Sequence, residues 1–421
     1  MSTVPPASDL QGPERLGTEK LGIEKSLPDS AVGTTVAEFL ATGPRRSAFG
    51  TPLLELSGPV LDANIARLAA WCRDRGLALA PHGKTTMAPA LWHKQLAAGA
   101  WGITVATWSQ ARVAVAAGVG RVIVANAVVD PVGLAWLRGA LDGDPDLQVL
   151  VWADSPATVA ATAAGLGAGR PLGVLVELGA DGGRTGARGR DTALAIAAAI
   201  DASPVLELAG VTGYEGSLAH GTTPDDLAVV EAYLREVADL YRALARPGAT
   251  IVSAGGSTYF DQVADVLGPL VDEGAEVVLR SGAYVVHDDG FYRAVSPFSR
   301  AGEPLESAMH LWARVISRPE PGLALLDAGK RDVSFDEGLP EPQLAATALG
   351  ASARTIKGEI SAVADQHAFL RLDPADPLAV GDVVRLGLSH PCTALDKWRW
   401  IPVTDGAGDD PAVIDLVRTW F

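Results

Sequence analysis

The hydrophobic pattern from Thr51 onward alternates between two kinds of segment. Short runs of β-branched and aliphatic residues predict buried strands, and the longer Ala- and Leu-rich stretches between them have helical character. Eight strands are predicted in this part of the chain, at residues 77–82, 102–106, 121–126, 148–153, 172–178, 207–214, 250–256 and 276–282. Eight strands with helical crossovers over about 230 residues are typical of a (β/α)8 barrel. A doubly wound open sheet shares the alternation and is the alternative fold.

The pattern changes near Ser296, where residues 296–304 form a linker that contains Pro and Gly. Strand-like segments dominate beyond it, at residues 309–317, 323–329, 367–372, 381–388 and 398–403. We therefore predict a polar N-terminal extension over residues 1–46, a barrel over residues 47–304 and a mostly β domain over residues 305–421. The extension mixes Pro, Gly, Glu and Lys, and we expect much of it to be mobile.

Composition narrows the class of protein. The 421 residues are 48% hydrophobic and 20% charged, which excludes intrinsic disorder as the general state of the chain. The formal net charge is −16, and no basic stripe is visible that could overcome this field at a nucleic acid. No run of about 18 uncharged apolar residues predicts a membrane helix. The two cysteines, Cys72 and Cys392, imply no disulfide framework, so we expect a cytoplasmic enzyme with a small-molecule substrate.

Candidate chemistry collects at the carboxyl ends of the predicted strands, where the active sites of such barrels lie. Lys84 follows the first strand, and a lysine there is either a solvated charge or a reactive amine. The residues that follow later strands are Arg184 in a Gly-rich segment, Tyr214, the Gly255-Gly256-Ser257 turn, Gly282 and Tyr284. The Gly-rich loops after strands seven and eight predict a phosphate site, because their backbone amides can approach an anion closely. Lysine and phosphate together indicate either pyridoxal phosphate or a phosphorylated sugar, and the pattern leaves both open.

A resemblance to a known family decides between these ligands. The segment 81–85 (PHGKT) and the later motifs GITVAT, GRTG, GYEG, AGGST and RSGAYV resemble, in order and spacing, those of fold-type III pyridoxal-phosphate enzymes. The chain is most similar to the D-serine dehydratase and D-threonine aldolase group, from about Phe49 to the C-terminus. In that group an alanine racemase-like (β/α)8 barrel precedes a β domain, and relatives look like homodimers.

The resemblance also implies roles for individual residues. Lys84 would bind the cofactor covalently, Arg184 would lie near its phenolic oxygen, and Tyr214 would lie near its ring. The residues implied to hold the phosphate are Gly255, Gly256, Ser257, Gly282 and Tyr284. Residues 366–368 depart from the family pattern, because Gln-His-Ala stands where a His-Gly pair is expected, which leaves a role for His367 in doubt.

A second constellation is His390-Pro391-Cys392 in the predicted β domain. Residues two apart on a strand point to one side, so an imidazole and a thiolate can share a metal ion, although such a lone pair is usually structural. By resemblance, the dehydratases carry His-x-Cys and bind zinc, whereas the aldolases carry His-x-Asp and take manganese or magnesium. Cys392 therefore indicates a dehydratase with zinc, with manganese or magnesium as the alternatives.

The implied activity is conversion of a D-β-hydroxy amino acid such as D-serine into a 2-oxo acid and ammonia. Retro-aldol cleavage of D-threonine to glycine and acetaldehyde on the same scaffold is the first alternative. Racemisation would leave the metal pair unexplained, and a non-catalytic pyridoxal-phosphate carrier would leave the β domain unexplained. The charged and aromatic segment 396–400 indicates either a bulkier or more acidic substrate or packing against a partner subunit.

Overall fold

The computed structural model describes residues 19–421, and the chain divides into two compact units. Within the described residues, the first unit comprises Leu68–Lys84 and Gln95–Gly282. The second comprises residues 19–67 together with Thr85–Lys94 and Ala283–Phe421. Each unit is therefore built from stretches that are separated along the chain.

Strands and helices alternate through the middle of the chain, and strands dominate its last third. The strands are β1 (Leu53–Ser57), β2 (Ala78–Leu79), β3 (Ile103–Val105), β4 (Arg121–Val124), β5 (Gln148–Ala153), β6 (Leu172–Gly179), β7 (Ala187–Arg188), β8 (Leu206–Gly213), β9 (Ile251–Ala254), β10 (Glu276–Leu279), β11 (Met309–Glu320), β12 (Leu323–Leu326), β13 (Glu341–Ala346), β14 (Arg354–Thr355), β15 (Gly358–Val363), β16 (Ala368–Leu372), β17 (Val383–Gly387), β18 (Trp400–Thr404) and β19 (Val413–Arg418). The α-helices are Val36–Leu40, Gly58–Arg73, Pro89–Ala97, Trp108–Ala116, Pro131–Gly143, Pro156–Leu166, Arg190–Asp201, Pro224–Leu244, Phe260–Leu267, Phe291–Val295, Pro297–Arg300 and Pro391–Leu395. In residues 19–421, no helix has the length and apolar character needed to cross a membrane.

The first unit is built on a curled parallel sheet. Its strand order is β2-β10-β9-β8-β6-β5-β4-β3, with β7 beside β6. All eight strands predicted between residues 77 and 282 are present, and every pairing along this order is parallel. Backbone hydrogen bonds also join β2 to the segment before β3, since the Trp101 amide donates to the Leu79 carbonyl at 2.7 Å.

Apolar residues on both faces of these strands explain why they form a parallel sheet. In β6, seven consecutive residues are buried, which is the pattern of a strand covered on both sides. One cluster in the core takes a side chain from nearly every strand: Ala80, Ile123, Leu150, Trp152, Leu175, Ala209, Ile251 and Val278. This packing fixes the strand ends, and with them the loops that carry the candidate chemistry.

The second unit contains a mostly antiparallel sheet of ten strands in the order β14-β13-β17-β11-β1-β18-β19, with β12, β16 and β15 branching from β11. The predicted strand segments of the β domain are present in it, and β13, β14, β15 and β19 are additional in that part of the chain. β1 lies in the middle of this sheet, antiparallel to β11 and parallel to β18. The compact units thus divide the chain differently from the predicted boundaries at residues 46/47 and 304/305.

The described part of the predicted extension, residues 19–46, packs within the second unit. Lys25 forms an ion pair with the buried Asp332 at 2.9 Å, and its ammonium lies 4.5 Å from the centre of the Trp398 ring. Thr35 and Glu38 form a capping box that begins the helix Val36–Leu40. The polar residues of this segment therefore form specific contacts that composition alone did not predict. Residues 1–18 of the predicted extension lie outside the described residues.

We expect Arg46→Ala to lower the free energy of unfolding by about 3 kcal/mol, because it leaves the buried Glu55 carboxylate without its cation. Arg46 donates two hydrogen bonds of 2.8 Å to Glu55, which also accepts one from the Trp312 indole at 3.0 Å. Denaturant unfolding measures the change. The matched control is Arg45→Ala, since Arg45 is exposed and donates to a backbone carbonyl. Equal losses in the two variants would contradict the role of the buried pair.

Candidate active site

Lys84 lies in a 3-10 turn, Gly83–Thr85, directly after β2 of the first unit. Its side chain is exposed, and no ion pair joins it to a carboxylate within residues 19–421. Lys94 differs, because its ammonium is paired with Asp62 at 2.7 Å. The Lys84 amine is therefore accessible and is not held by a counter-ion, as a covalent site for an aldehyde requires.

Three cations of the first unit surround His82. Desolvation of the ring lowers the pKa of His82 well below its usual value, and the positive charges of Lys84, Arg280 and Arg184 lower it further. The Nδ1 atom of His82 is buried and has no hydrogen-bond partner within residues 19–421. A Cβ added at Gly282 would stand 2.4 Å from the His82 carbonyl oxygen, so Gly282 also belongs to this cluster. The cluster is electropositive and suits an anionic ligand.

Arg184 and Tyr214, which the resemblance assigns to the cofactor site, lie side by side in the structure. The Arg184 guanidinium lies 4.9 Å from the centre of the Tyr214 ring. The Tyr214 amide donates to the Tyr233 hydroxyl at 3.1 Å, and that hydroxyl donates to the Leu178 carbonyl, which holds Tyr214 at the end of β8. Nearby, burial raises the pKa of Glu177. These residues line a small cleft at the strand ends.

The glycine turn after β9 already binds an oxyanion, which comes from the chain itself. The amides of Gly255 and Gly256 donate to the two carboxylate oxygens of the buried Glu215, at 3.1 Å and 2.6 Å. Gly255 has a φ of +93°, a conformation that favours glycine. The two amides thus form a donor pair of the kind that an oxyanion needs. A phosphate bound here would replace Glu215 on these amides or use the neighbouring donors of the same loops.

Arg280 is a buried residue that sequence reasoning did not assign. Its guanidinium donates to the hydroxyls of Thr212 and Ser253 and to the Gly213 carbonyl, and lies 4.9 Å from the centre of the Trp152 ring. It therefore ties the ends of β8 and β9 together from inside the unit. The RSG motif was the available signal, but the sequence analysis gave Arg280 only a place in the predicted strand 276–282 and no role.

We expect Gly256→Val to weaken binding of pyridoxal phosphate about tenfold or more, equivalent to about 1.4 kcal/mol. A Cβ at this position would lie 3.1 Å from the Tyr214 ring and 3.5 Å from Glu215, so a branched side chain crowds the glycine turn. Titration of the apoenzyme with the cofactor measures the affinity, and thermal unfolding reports stability. Gly120→Val is the control, because its Cβ would meet no heavy atom within 4 Å. Affinity within a factor of two of the wild type would place the phosphate elsewhere.

The predicted metal ligands lie together in the second unit, although not on a strand. His390 precedes the short helix Pro391–Leu395 and has a φ of +42°, so a turn brings Cys392 beside the imidazole. A hydrogen bond with Cys392 raises the pKa of His390 to about 9, with the Asp336 carboxylate contributing. The Cys392 thiol donates to the Thr85 hydroxyl at 3.3 Å. The prediction of a strand was wrong because Pro391 has no amide to donate to a sheet.

The donor pair fits a divalent metal ion. Imidazole and thiolate suit zinc, and a site open to substrate keeps some ligand positions free of protein. Within residues 19–421, no group of three or more His, Cys, Asp or Glu side chains is arranged to hold a metal. His390 and Cys392 are the two donor side chains that the resemblance assigns to a metal.

The remaining predicted positions are also located by the structure. Tyr284 is buried in the 3-10 turn Ala283–Val285 of the second unit. His367 is exposed at the turn between β15 and β16, so its position gives no support for a site role. The charged and aromatic segment 396–400 packs within the second unit: Trp398 is buried, its indole donates to the Asp332 carbonyl, and Arg399 pairs with Glu19.

We expect one fast-reacting thiol per chain, at Cys392, although the sequence has two cysteines. Burial raises the pKa of Cys72 to about 12. Its thiolate fraction at neutral pH is then about three thousandfold below that of an ordinary thiol with a pKa of about 8.5. Titration with a thiol reagent measures this, and added zinc should protect the fast thiol. Cys392→Ala should remove it, so a fast thiol that persists in this variant would contradict the assignment.

Comparisons with known proteins match both parts of the chain. Residues 59–264 match the family described as "Alanine racemase, N-terminal domain", and residues 308–404 match that described as "Putative serine dehydratase domain". The chain is 31% identical to D-threonine aldolase from Arthrobacter sp over 353 residues, 81% of this chain and 85% of the relative. It is 30% identical to D-threo-3-hydroxyaspartate dehydratase from Delftia sp. (strain HT23) over 298 residues, 68% of this chain and 73% of the relative.

Solved structures show the same fold. The crystal structure of D-threonine aldolase from Filomicrobium marinum superposes with a TM-score of 0.74 at 24% identity, covering 90% of this chain and 97% of that one. The fold is thus alanine racemase-like, with a curled parallel sheet and a separate mostly β C-terminal domain. Together with the identity to the Arthrobacter enzyme, these matches confirm the resemblance read from the motifs. The chain belongs to the D-threonine aldolase and D-serine dehydratase group of fold-type III pyridoxal-phosphate lyases.

Proposed function

We propose that the protein is a pyridoxal-phosphate-dependent, metal-assisted dehydratase of D-β-hydroxy amino acids. The broader activity, a lyase acting on D-β-hydroxy amino acids, is supported by its relatives, which include aldolases and a dehydratase. The single observation that favours dehydration is that the side chain two positions after His390 is a thiol, Cys392, in the short helix that His390 precedes. D-serine would yield pyruvate and ammonia, with the water lost at Cβ balanced by the water taken up when the imine is hydrolysed.

The proposal assigns residues to the cofactor site. Pyridoxal phosphate, the cofactor expected for this family, supplies an electron sink for the carbanion formed at Cα. Lys84 would hold its aldehyde, Arg184 and Tyr214 would hold its ring and phenolic oxygen, and the glycine loops with Ser257 and Tyr284 would hold its phosphate. The amine of Lys84, once free, would take the Cα proton as a general base.

His390 and Cys392 would hold the metal ion, and zinc is the ion that best suits their donor atoms. The ion would supply Lewis acidity for the departing β-hydroxyl, which is a poor leaving group by itself. Two variants of D-threo-3-hydroxyaspartate dehydratase have known structures. In one variant a histidine is replaced by alanine, and in the other a cysteine two positions later is replaced by alanine. The structure of the cysteine variant is of the metal-free form. The same spacing in this chain supports the proposal.

Retro-aldol cleavage is the second candidate function. It is favoured by the 31% identity to a D-threonine aldolase and by two 3-hydroxy-D-aspartate aldolases that are each 28% identical to this chain. The two reactions differ at Cβ, because the hydroxyl leaves in dehydration and loses its proton in cleavage. Manganese or magnesium in place of zinc would accompany this second candidate.

Product analysis decides between the two reactions. The purified protein, loaded with pyridoxal phosphate and zinc, is incubated with D-serine, D-threonine or 3-hydroxy-D-aspartate. We expect equal amounts of ammonia and 2-oxo acid to be released. Glycine and an aldehyde as the main products would establish the aldolase instead.

Three further features complete the proposal. We infer that the eight parallel strands form a closed (β/α)8 barrel, supported by the hydrogen bonds between the β2 and β3 segments. A homodimer and a cytoplasmic location are the expectations that follow from the resemblance and from the two cysteines. Sedimentation of the purified protein and fractionation of the source cells would measure them.

A further inference from the structure

We propose that Asp336 is a positioning residue for the metal ligand His390, orienting the imidazole so that Nε2 is presented to the ion. The inference rests on the proposed function, in which His390 and Cys392 hold a divalent ion. Asp336 lies outside every motif that carries the family resemblance, on the loop between β12 and β13.

The carboxylate of Asp336 has both oxygens engaged with the ligand segment. Its Oδ2 lies 2.7 Å from the Nδ1 atom of His390, and its Oδ1 accepts a hydrogen bond of 2.7 Å from the Thr393 hydroxyl. A carboxylate beside Nδ1 places the proton on that nitrogen and leaves the lone pair on Nε2. A metal-binding histidine usually has such an outer partner, which sets both its tautomer and its ring orientation.

The loop that carries Asp336 is fastened to the segment that carries the ligands. Ser334 donates to the Ser389 carbonyl, and the Ser389 hydroxyl donates to the Glu337 carbonyl at 2.7 Å. The Trp398 indole holds the start of the same loop by donating to the Asp332 carbonyl at 2.9 Å. Asp336 is therefore placed by bonds on both sides of it, although its own side chain is 41% exposed.

The backbone of His390 is restrained independently of its ring. Its amide donates at 3.0 Å to the buried Asp288, which also accepts from the amides of Gly290, Tyr292 and Arg293. This bond holds the left-handed backbone of His390. With the backbone fixed and Nδ1 occupied by Asp336, rotation of the ring is restricted, and Nε2 is left as the metal-binding atom.

Asp336→Asn tests the inference, because asparagine keeps the shape and loses the charge and one acceptor. Full-length apoenzyme is titrated with zinc in competition with a chromophoric chelator. We expect the zinc dissociation constant to rise about tenfold to a hundredfold. Asp336→Glu, which restores the carboxylate, should recover part of the loss. Glu337→Gln is the matched control, since it removes the same charge from the next residue of the loop.

Cobalt titration distinguishes a positioning role of Asp336 from a role as a direct metal ligand. In the wild type, a thiolate-to-cobalt absorption band should mark the bond to Cys392, and Asp336→Asn should keep its position while weakening cobalt affinity. A shifted band would make Asp336 a ligand and overturn the positioning role. Affinity within twofold of the wild type, or an equal loss in Glu337→Gln, would also overturn it. If the wild type binds neither zinc nor cobalt, the proposed metal-assisted function fails, and the role of Asp336 fails with it.

Discussion

Lys84→Ala should reduce turnover of every D-β-hydroxy amino acid by a factor of about 10⁴ or more, because in the proposed mechanism one amine serves as both covalent site and general base. The exposed position of Lys84 after β2, with no ion pair to a carboxylate within residues 19–421, leaves the amine available for both roles. Product formation measures the loss. Borohydride reduction of the wild type, followed by peptide mass analysis, should find the cofactor on Lys84.

Lys94→Ala provides the comparison for this variant. Lys94 is ten positions after Lys84 in the sequence, but its ammonium is paired with Asp62 at 2.7 Å. We therefore expect the turnover of Lys94→Ala to stay within about twofold of the wild type. The Lys84→Ala protein should still bind pyridoxal phosphate through the glycine loops. Cofactor found on Lys94, or a colourless wild type after reconstitution, would remove the basis of the assignment.

Removal of divalent ions should lower the rate of ammonia release from D-serine by a factor of about a hundred or more, because hydroxide leaves poorly without a Lewis acid. Added zinc should restore the rate. Cys392→Ala should produce the same loss without chelation. Cys392→Asp replaces the soft donor with a hard one, so it should shift the preferred ion toward manganese and raise the share of aldol cleavage. Ammonia, 2-oxo acid, glycine and aldehyde are quantified together.

Cys72→Ala is the control for Cys392→Ala, because it shows whether the loss of any cysteine lowers the metal-dependent activity. Cys72 is 2% exposed in the helix Gly58–Arg73, so its replacement should lower stability and leave the metal dependence unchanged. If the wild type gives mainly glycine and aldehyde from D-threonine, with manganese as the better ion, the dehydratase proposal is wrong. The family, Lys84 and the cofactor would be untouched by that result.

Much of the first unit could be predicted because parallel strands buried on both faces leave a local signal. β6 is one apolar run bounded by turns, and the other seven strands read similarly. β1 could not be assigned correctly, since its sequence, LLELS, reads the same in either unit. What places it is pairing with β11 and β18, which lie far along the chain, and periodicity carries no information about such partners.

The residues of the candidate site also fall into those that the sequence identified and those that it did not. Lys84, Cys392 and the glycine turns stand in compact motifs, so the sequence identified them as candidates. Glu215 and Asp336 were missed because each acts through a residue far along the chain, 40 positions away at Gly255 and 54 at His390. A carboxylate without a motif is indistinguishable from a solvated surface charge until those contacts are known.

The central place of β1 in the second sheet constrains the order of events during synthesis. Leu56 of β1 meets Thr404, which is made 348 residues later, whereas the first unit is complete once Gly282 has been made. At translation rates of about 5–20 residues per second, β1 waits roughly 20–70 s for that neighbour. Four of its five residues are buried in the finished protein, so a largely apolar segment has no sheet neighbour until β11, its antiparallel partner, has been made. We therefore expect the nascent chain to need chaperone protection at β1 during this part of its synthesis.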